Sequence, residues 1–197
     1  MKKFGPAVLA IIGLSACLLA FACQTPPSVV RVKMDYTPTN LVPPPKSFPG
    51  TSILIVSVED QRKTPDQIGQ NSEKANIVPV KAESAQVIAF VENAFKKEFK
   101  RVGFNLVDSK SQAKRILQVS ILNLWVEEKS VYESSITTQV TVLDNSGMKL
   151  FQENYRAVAQ RWGTSYEEEE YRKVLSDTVV DLLKKMFNDE AFMKSLS

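Results

Sequence analysis

The chain has 197 residues, with 25 Lys and Arg against 22 Asp and Glu, two cysteines and no histidine. That length suits one domain with its own core. The lack of histidine removes the commonest general base and the commonest metal ligand, and there is no basic excess of the kind that marks a nucleic-acid binder.

Lys2 and Lys3 make a basic start, and from Phe4 to Ala22 no residue is charged. A positive n-region, an apolar h-region and small residues before a cut form the layout of a bacterial export signal. A retained membrane span usually carries basic or aromatic anchors on both flanks. Here the far flank is Cys23-Gln24-Thr25-Pro26-Pro27, and the next charge is Arg31. A small residue followed by Cys at the end of an h-region resembles a lipobox, in which the thiol takes the lipid and the chain is cut just before it. Both cysteines fit in part. Leu14-Ser15-Ala16-Cys17 is nearer the preferred pattern, while Ala20-Phe21-Ala22-Cys23 has Ala where Leu is common. Cutting at Cys17 would leave Leu18 to Ala22 as an exposed apolar stretch. Cutting at Cys23 leaves a polar, proline-rich start. Cys23 is therefore the expected lipidated residue, Cys17 the runner-up, and residues 1–22 the signal peptide; an uncleaved anchor is the alternative. A disulfide would lie in a removed or membrane-bound segment, and a metal pair would lack further ligands. With Lys2 and Lys3 gone with the leader, 23 cationic residues face 22 acidic ones, a net charge near +1.

Residues 23–50 read as a tether. Pro26, Pro27, Pro38, Pro43, Pro44, Pro45 and Pro49 all fall there, and such segments are semi-extended spacers. Val30, Val32 and Met34 alternate with Arg31 and Lys33, which predicts a short edge strand within it.

One domain is expected over residues 51–197. The apolar run 52–58 predicts a buried strand, and the polar residues 59–83, with Pro65, Gly69 and Pro79, predict a long loop. Ser84 is placed to cap a helix over 85–102, where Val87, Ile88, Val91, Ala94, Phe95, Phe99 and Val102 share one face. Gly103 ends it, and a short strand follows at 104–107. Residues 115–127, 131–143 and 148–160 predict three longer strands, with a hairpin turn at Asp144-Asn145-Ser146-Gly147. A second helix begins after two overlapping capping-box candidates, Thr164/Glu167 and Ser165/Glu168. A last short helix carries Phe192, Met193 and Leu196. The order β-α-β-β-β-β-α predicts an α+β fold: a mostly antiparallel sheet of about five strands with both main helices on one face.

Asp60 and Arg62 stand at the end of the first buried strand. They read either as a partner contact or as an ion pair that fixes the following loop, and the second reading is the commoner one for half-buried charges. Glu167 to Glu170 are consecutive, so their carboxylates point apart; they read as negative charge at a helix N-terminus and not as a cation site. Trp125 reads as core or sheet surface. Trp162, beside Gly163 at the start of the second helical region, is the better candidate for an exposed partner contact. Ser109-Lys110-Ser111 lies in an ordinary polar loop, and no nucleophile motif supports a Ser-Lys pair. No catalytic, cofactor or metal residue is assigned.

Several of these pieces together resemble the YajG-type envelope lipoproteins. They are Cys23 with Pro26-Pro27, strand 52–58 running into Val58-Glu59-Asp60-Gln61-Arg62, and Ile68-Gly69. Arg101-Val102-Gly103-Phe104, Leu117-Gln118-Val119-Ser120-Ile121, Tyr155-Arg156-Ala157 and the last helix with Phe192 complete the set. The resemblance implies an outer-membrane lipoprotein facing the periplasm, without enzyme activity. Gln24 agrees, since it is not the Asp that retains lipoproteins at the inner membrane of enteric bacteria. The expected partners are the membrane, through N-terminal acyl chains, and an envelope protein; nucleic acid is not expected. An envelope enzyme acting on lipid or glycan, and a purely structural lipoprotein, are the competing classes.

Overall fold

The computed structural model describes residues 27–46 and 50–197, so the leader, Cys17 and Cys23 lie outside the described residues. Three long strands form the spine: β6 (Arg115–Glu128), β7 (Tyr132–Asp144) and β8 (Lys149–Arg161). They pair antiparallel in chain order, as the predicted meander requires. The Asp144 carboxylate closes the last hairpin by accepting from the Ser146 and Met148 N–H groups.

Strand β6 is the hub. Strand β2 (Ser52–Asp60) runs parallel to its first half, from Arg115 to Ile121. Strand β3 (Gln67–Asn71) runs parallel to its last residues, Val126 to Glu128. The sheet forks at that point. Beyond β2 lies β5 (Asn105–Leu106); beyond β3 lie β4 (Val78–Lys81) and then β1 (Val30–Arg31). A bulge in β6 between Ile121 and Asn123 sits at the fork. It switches the buried parity from Leu117, Val119 and Ile121 to Leu124, Val126 and Glu128. The result is an open, mixed α+β sheet of eight strands. Most of its paired length is antiparallel, although four pairings are parallel.

The strands beyond the expected five include β3 and β4, an antiparallel hairpin inside the predicted 59–83 loop. Gly69 and Pro79 weaken its signature as strand. Gly69 is needed because a Cβ there would stand 2.0 Å from the Val126 carbonyl oxygen.

Both main helices, α1 (Ser84–Val102) and α2 (Glu168–Asn188), pack on the same face of the sheet, with short α3 (Glu190–Ser195) after them. The predicted α1 stripe is buried apart from Ile88, which is half-buried. Phe99 joins the helices, with ring centroids 5.0 Å from Phe187 and 4.8 Å from Phe104. Each fully buried Phe contributes about 1.5–3 kcal/mol. Gly103 ends α1 at φ 103°, a left-handed conformation open to glycine.

The predicted caps do not form. Ser84 is the first helical residue, and its hydroxyl donates to Asp60 at 2.9 Å instead of capping. Neither capping box closes before α2: Ser165 bonds Glu73, and Glu168 accepts from the Lys33 N–H at 2.9 Å. The tertiary partners outcompete the local ones. The acidic first turn of α2 remains, facing the positive end of the helix dipole.

The described part of the expected tether packs on the domain as a strap. Val30, Val32, Met34 and Val42 are in the core. The Thr39 N–H and hydroxyl donate to Asp177 at 2.7 and 2.5 Å, and the Thr37 N–H to Ser176 at 3.0 Å. Arg101 holds the Val42 carbonyl while pairing with buried Glu98, which also accepts from the Tyr36 hydroxyl at 3.1 Å. Alternating apolar side chains drive the burial, and prolines supply the extended backbone between hydrogen bonds.

Burial raises the hydroxyls of Tyr36, Tyr132, Tyr155 and Tyr171 far above the ordinary tyrosine range, with neighbouring carboxylates adding to it. Burial also raises Tyr166, the fifth and last tyrosine. A group whose folded pKa exceeds its unfolded value of about 10 contributes stability below that value and loses it as pH rises through the folded one. The phenolate absorbance of Tyr36, Tyr132, Tyr155 and Tyr171 is therefore expected only with alkaline unfolding, in one step with the loss of circular dichroism. Any of these four that titrates at ordinary pH while the fold persists would contradict this packing.

Candidate functional site

Asp60 and Arg62 meet at the C-terminal end of β2, with side chains 3% and 5% exposed. The Arg62 guanidinium grips both carboxylate oxygens, Nε to Oδ1 at 2.8 Å and Nη2 to Oδ2 at 2.7 Å. It also donates to the Pro65 carbonyl at 2.5 Å and the Gln67 carbonyl at 3.3 Å. Ser84 supplies a further bond to Asp60 from the start of α1. Burial pushes the Asp60 carboxyl up, but the hydrogen bonds from Arg62 and Ser84 outweigh it and hold the group below its ordinary range. The pair thus links β2, the turn before β3 and the first turn of α1. Both side chains face inward and are bonded to their own chain, so a partner at this surface would meet the backbone around them.

Trp162 is far from this pair. It follows β8 directly, 78% exposed, with β7 and β6 between it and β2. Trp125 lies on the sheet face opposite the helices, half-buried, between core residues Leu124 and Val126.

Two buried acids carry structure that a motif search does not single out. Glu98 anchors the strap, as described above. Glu128, 1% exposed, accepts from the Tyr171 hydroxyl and from the Tyr166 N–H at 3.3 Å. Tyr132 packs edge-on to Tyr171 at 4.8 Å and donates to the Thr164 carbonyl. Together they fix the turn before α2, where Tyr166 takes φ 62°. Both acids fall on core positions of their elements: Glu98 four residues from Ala94 and from Val102, Glu128 two from Val126. That parity is the signal by which they could have been found.

A groove of about 660 Å³ runs between α1 and β5, over Ile55, Phe104 and Leu106, with Lys96, Lys97 and Lys100 on its rim. Asp60, Arg62 and Trp162 do not line it. Lys97 lies over the Tyr36 ring at 5.5 Å, and Lys96 pairs with Glu92 at 2.5 Å. Among the described residues no three carboxylate or thiol side chains converge as metal ligands do. No helix among them is long and apolar enough to cross a membrane.

The architecture is similar to that of a Xanthomonas campestris protein of the DUF330 family, at 10% identity and a TM-score of 0.53, over 81% of this chain and 90% of that one. Lesser likenesses are to a minor lipoprotein from Acinetobacter baumannii, with TM-score 0.41 and 11% identity over 74% of this chain and 93% of that one. The lipoprotein GNA1162 from Neisseria meningitidis gives a TM-score of 0.35 and 8% identity, over 58% and 88%. No curated protein matches the chain at a significant level. The fold class is thus an α+β domain shared with the Xanthomonas protein. The family model described as "Uncharacterized lipoprotein" matches residues 46–197. The chain belongs to that bacterial lipoprotein family, and membership implies lipid anchoring to a membrane.

Proposed function

We propose that this is a YajG-type envelope lipoprotein, acylated at Cys23, held at the periplasmic face of the outer membrane, and acting without catalysis as a binding or assembly module. The observation that carries the reading is the lipoprotein family match over residues 46–197, behind a leader that ends in Ala22-Cys23. The inward bonding of Asp60 and Arg62 supports a structural use of the most reactive-looking pair. Exposed Trp162 and, at a separate place on the domain, the backbone around Asp60 and Arg62 are the two surfaces assigned to an envelope protein partner.

Cys23→Ala is expected to abolish labelling by a palmitate analogue and to release the protein from the membrane fraction, because stable anchoring needs more than one acyl chain. Cys17→Ala should leave both unchanged. Labelling that depends on Cys17 would move the cleavage site and refute the assignment. For the partner, in-cell crosslinking followed by purification is expected to yield a product that Trp162→Ala weakens. A product indifferent to Trp162 and to the stretch around Asp60 and Arg62 would remove both surfaces from the proposal.

A further inference from the structure

Six large apolar side chains are exposed among the described residues. Four of them, Met148, Leu150, Val158 and Trp162, lie on β8 or directly at its ends. Strand β8 pairs with β7 along one edge, and among the described residues no strand covers the other. It is 13 residues long and holds no proline. Long bare edges are pairing surfaces unless something blunts them. Here the blunting consists of a bulge at Leu150, the charges of Lys149, Glu153, Arg156 and Arg161, and Lys185, whose ammonium reaches the Arg156 carbonyl at 2.7 Å; no proline or covering strand adds to it among the described residues.

The outward main-chain groups belong to even-numbered residues. The Asn154 N–H is met only by its neighbour's carboxylate, Glu153, at 2.9 Å, and the Arg156 carbonyl only by Lys185. Both groups of one residue point the same way in an antiparallel strand, and successive residues alternate. A pairing strand must therefore set its own outward residues against these.

We propose that β8 pairs antiparallel with β8 of a second copy of this chain, about a two-fold axis through Asn154, so that one sheet continues into the next. Three neighbouring registers fail on charge, because like charges directly opposite are destabilising. An axis through Glu153 sets that carboxylate against its own copy. An axis through Tyr155 sets Lys149 against Arg161 of the second copy, and one through Arg156 sets the guanidinium against itself. With the axis at Asn154, Glu153 faces Tyr155, Lys149 faces Ala159 and Gln152 faces Arg156. The exposed Leu150 then faces the exposed Val158, once at each end. The ladder from Gln152 to Arg156 supplies roughly six hydrogen bonds. Lys185, on an exposed helix position, swings away from Arg156 to admit it. The contact is smaller than a standard interface of about 1,600 Å², so it is weak in free solution. Copies anchored to one membrane meet at raised effective concentration, which favours a contact of this strength.

The test uses the full chain in its native membranes, with a short thiol–thiol crosslinker. The parent chain, whose only cysteines are Cys17 and Cys23, sets the background. Asn154→Cys is expected to give a product of dimer mass several-fold above background. Gln139→Cys, one strand inward on β7, should give none, since the axis separates the two copies there by about 14 Å, three strand spacings. Adding Gln152→Pro should remove the Asn154→Cys product, because proline on an edge forfeits only the outward N–H. Its thermal melt shows whether the fold is kept, and Val158→Lys replaces it if the melt shifts. Lys185→Ala should raise the yield. A yield at background, an equal product from Gln139→Cys, a product of another mass, or one that survives both edge variants would overturn the proposal.

Discussion

Arg62→Ala is expected to lower the unfolding free energy by about 3–5 kcal/mol, the cost of leaving one member of a buried ion pair without its partner. An exposed pair would be worth no more than about 1 kcal/mol, so the magnitude itself reports burial. The side chains are 5% and 3% exposed, and Arg62 also holds the Pro65 and Gln67 carbonyls that shape the turn before β3. Replacing both residues by apolar ones of similar volume should cost much less than the single change, since no charge is then stranded. Acid adds a second readout. Asp60 sits below its unfolded value of about 3.9 because of Arg62 and Ser84. Its stabilising share is present above that value and is lost as pH falls through the lower folded one. In Arg62→Ala the carboxyl is buried without its guanidinium, so acidification relieves it. The stability gap between parent and variant should therefore narrow as pH falls. Urea melts across pH 7 to 3 measure it, and a gap that stays small or widens would contradict the buried pair.

Asp177→Ala is expected to detach the strap. The carboxylate accepts from the Thr39 N–H, the Thr39 hydroxyl and the Asn40 N–H, and lies 3.5 Å from Arg161. Losing charge-assisted bonds of this kind costs about 1.5–3 kcal/mol each at most, with water recovering part of it at a surface segment. A net loss of about 2–3 kcal/mol follows. The sharper measurement is limited trypsinolysis after Lys33 and Lys46, which flank the Thr37–Val42 part of the strap. Cleavage should be slow in the parent and fast in the variant, while Asp177→Asn, which keeps one acceptor oxygen, should fall between. Equal rates in parent and Asp177→Ala would show that Val32, Met34 and Val42 hold the segment alone.

The meander and both main helices were legible because their patterns are long: apolar residues at helical spacing in 85–102, alternation through 131–143. The β3–β4 hairpin was not. Its residues are few, and Gly69 and Pro79 argue locally against strand; only the edge of β6 makes them one. The caps failed for a related reason. Ser84 and Ser165 are good cap residues in isolation, but Asp60 and Glu73 lie nearer in space than in sequence. The strap was half legible. Alternation announced Val30 to Met34, whereas proline content suggested a free spacer for the rest, and composition cannot see Asp177 waiting on α2. Asp60 and Arg62 were visible as a pair because they lie two residues apart. Glu98 and Glu128 belong to no local motif, and only their parity with core neighbours marks them as buried.

The docked strap also sets how far the domain stands from the bilayer. If Cys23 carries the acyl chains as proposed, the leash to Val30, which is fixed in the sheet, is six residues long. Fully extended, it spans roughly 25 Å. A leash of that length would confine the domain to a shallow layer just above the lipid headgroups and limit its tumbling. On that reading, a partner would have to be met close to the membrane surface. Val30 and Arg31 pair with β4, so this short parallel pairing, and not the Thr39–Asp177 contact farther along the strap, would set how high the domain can ride.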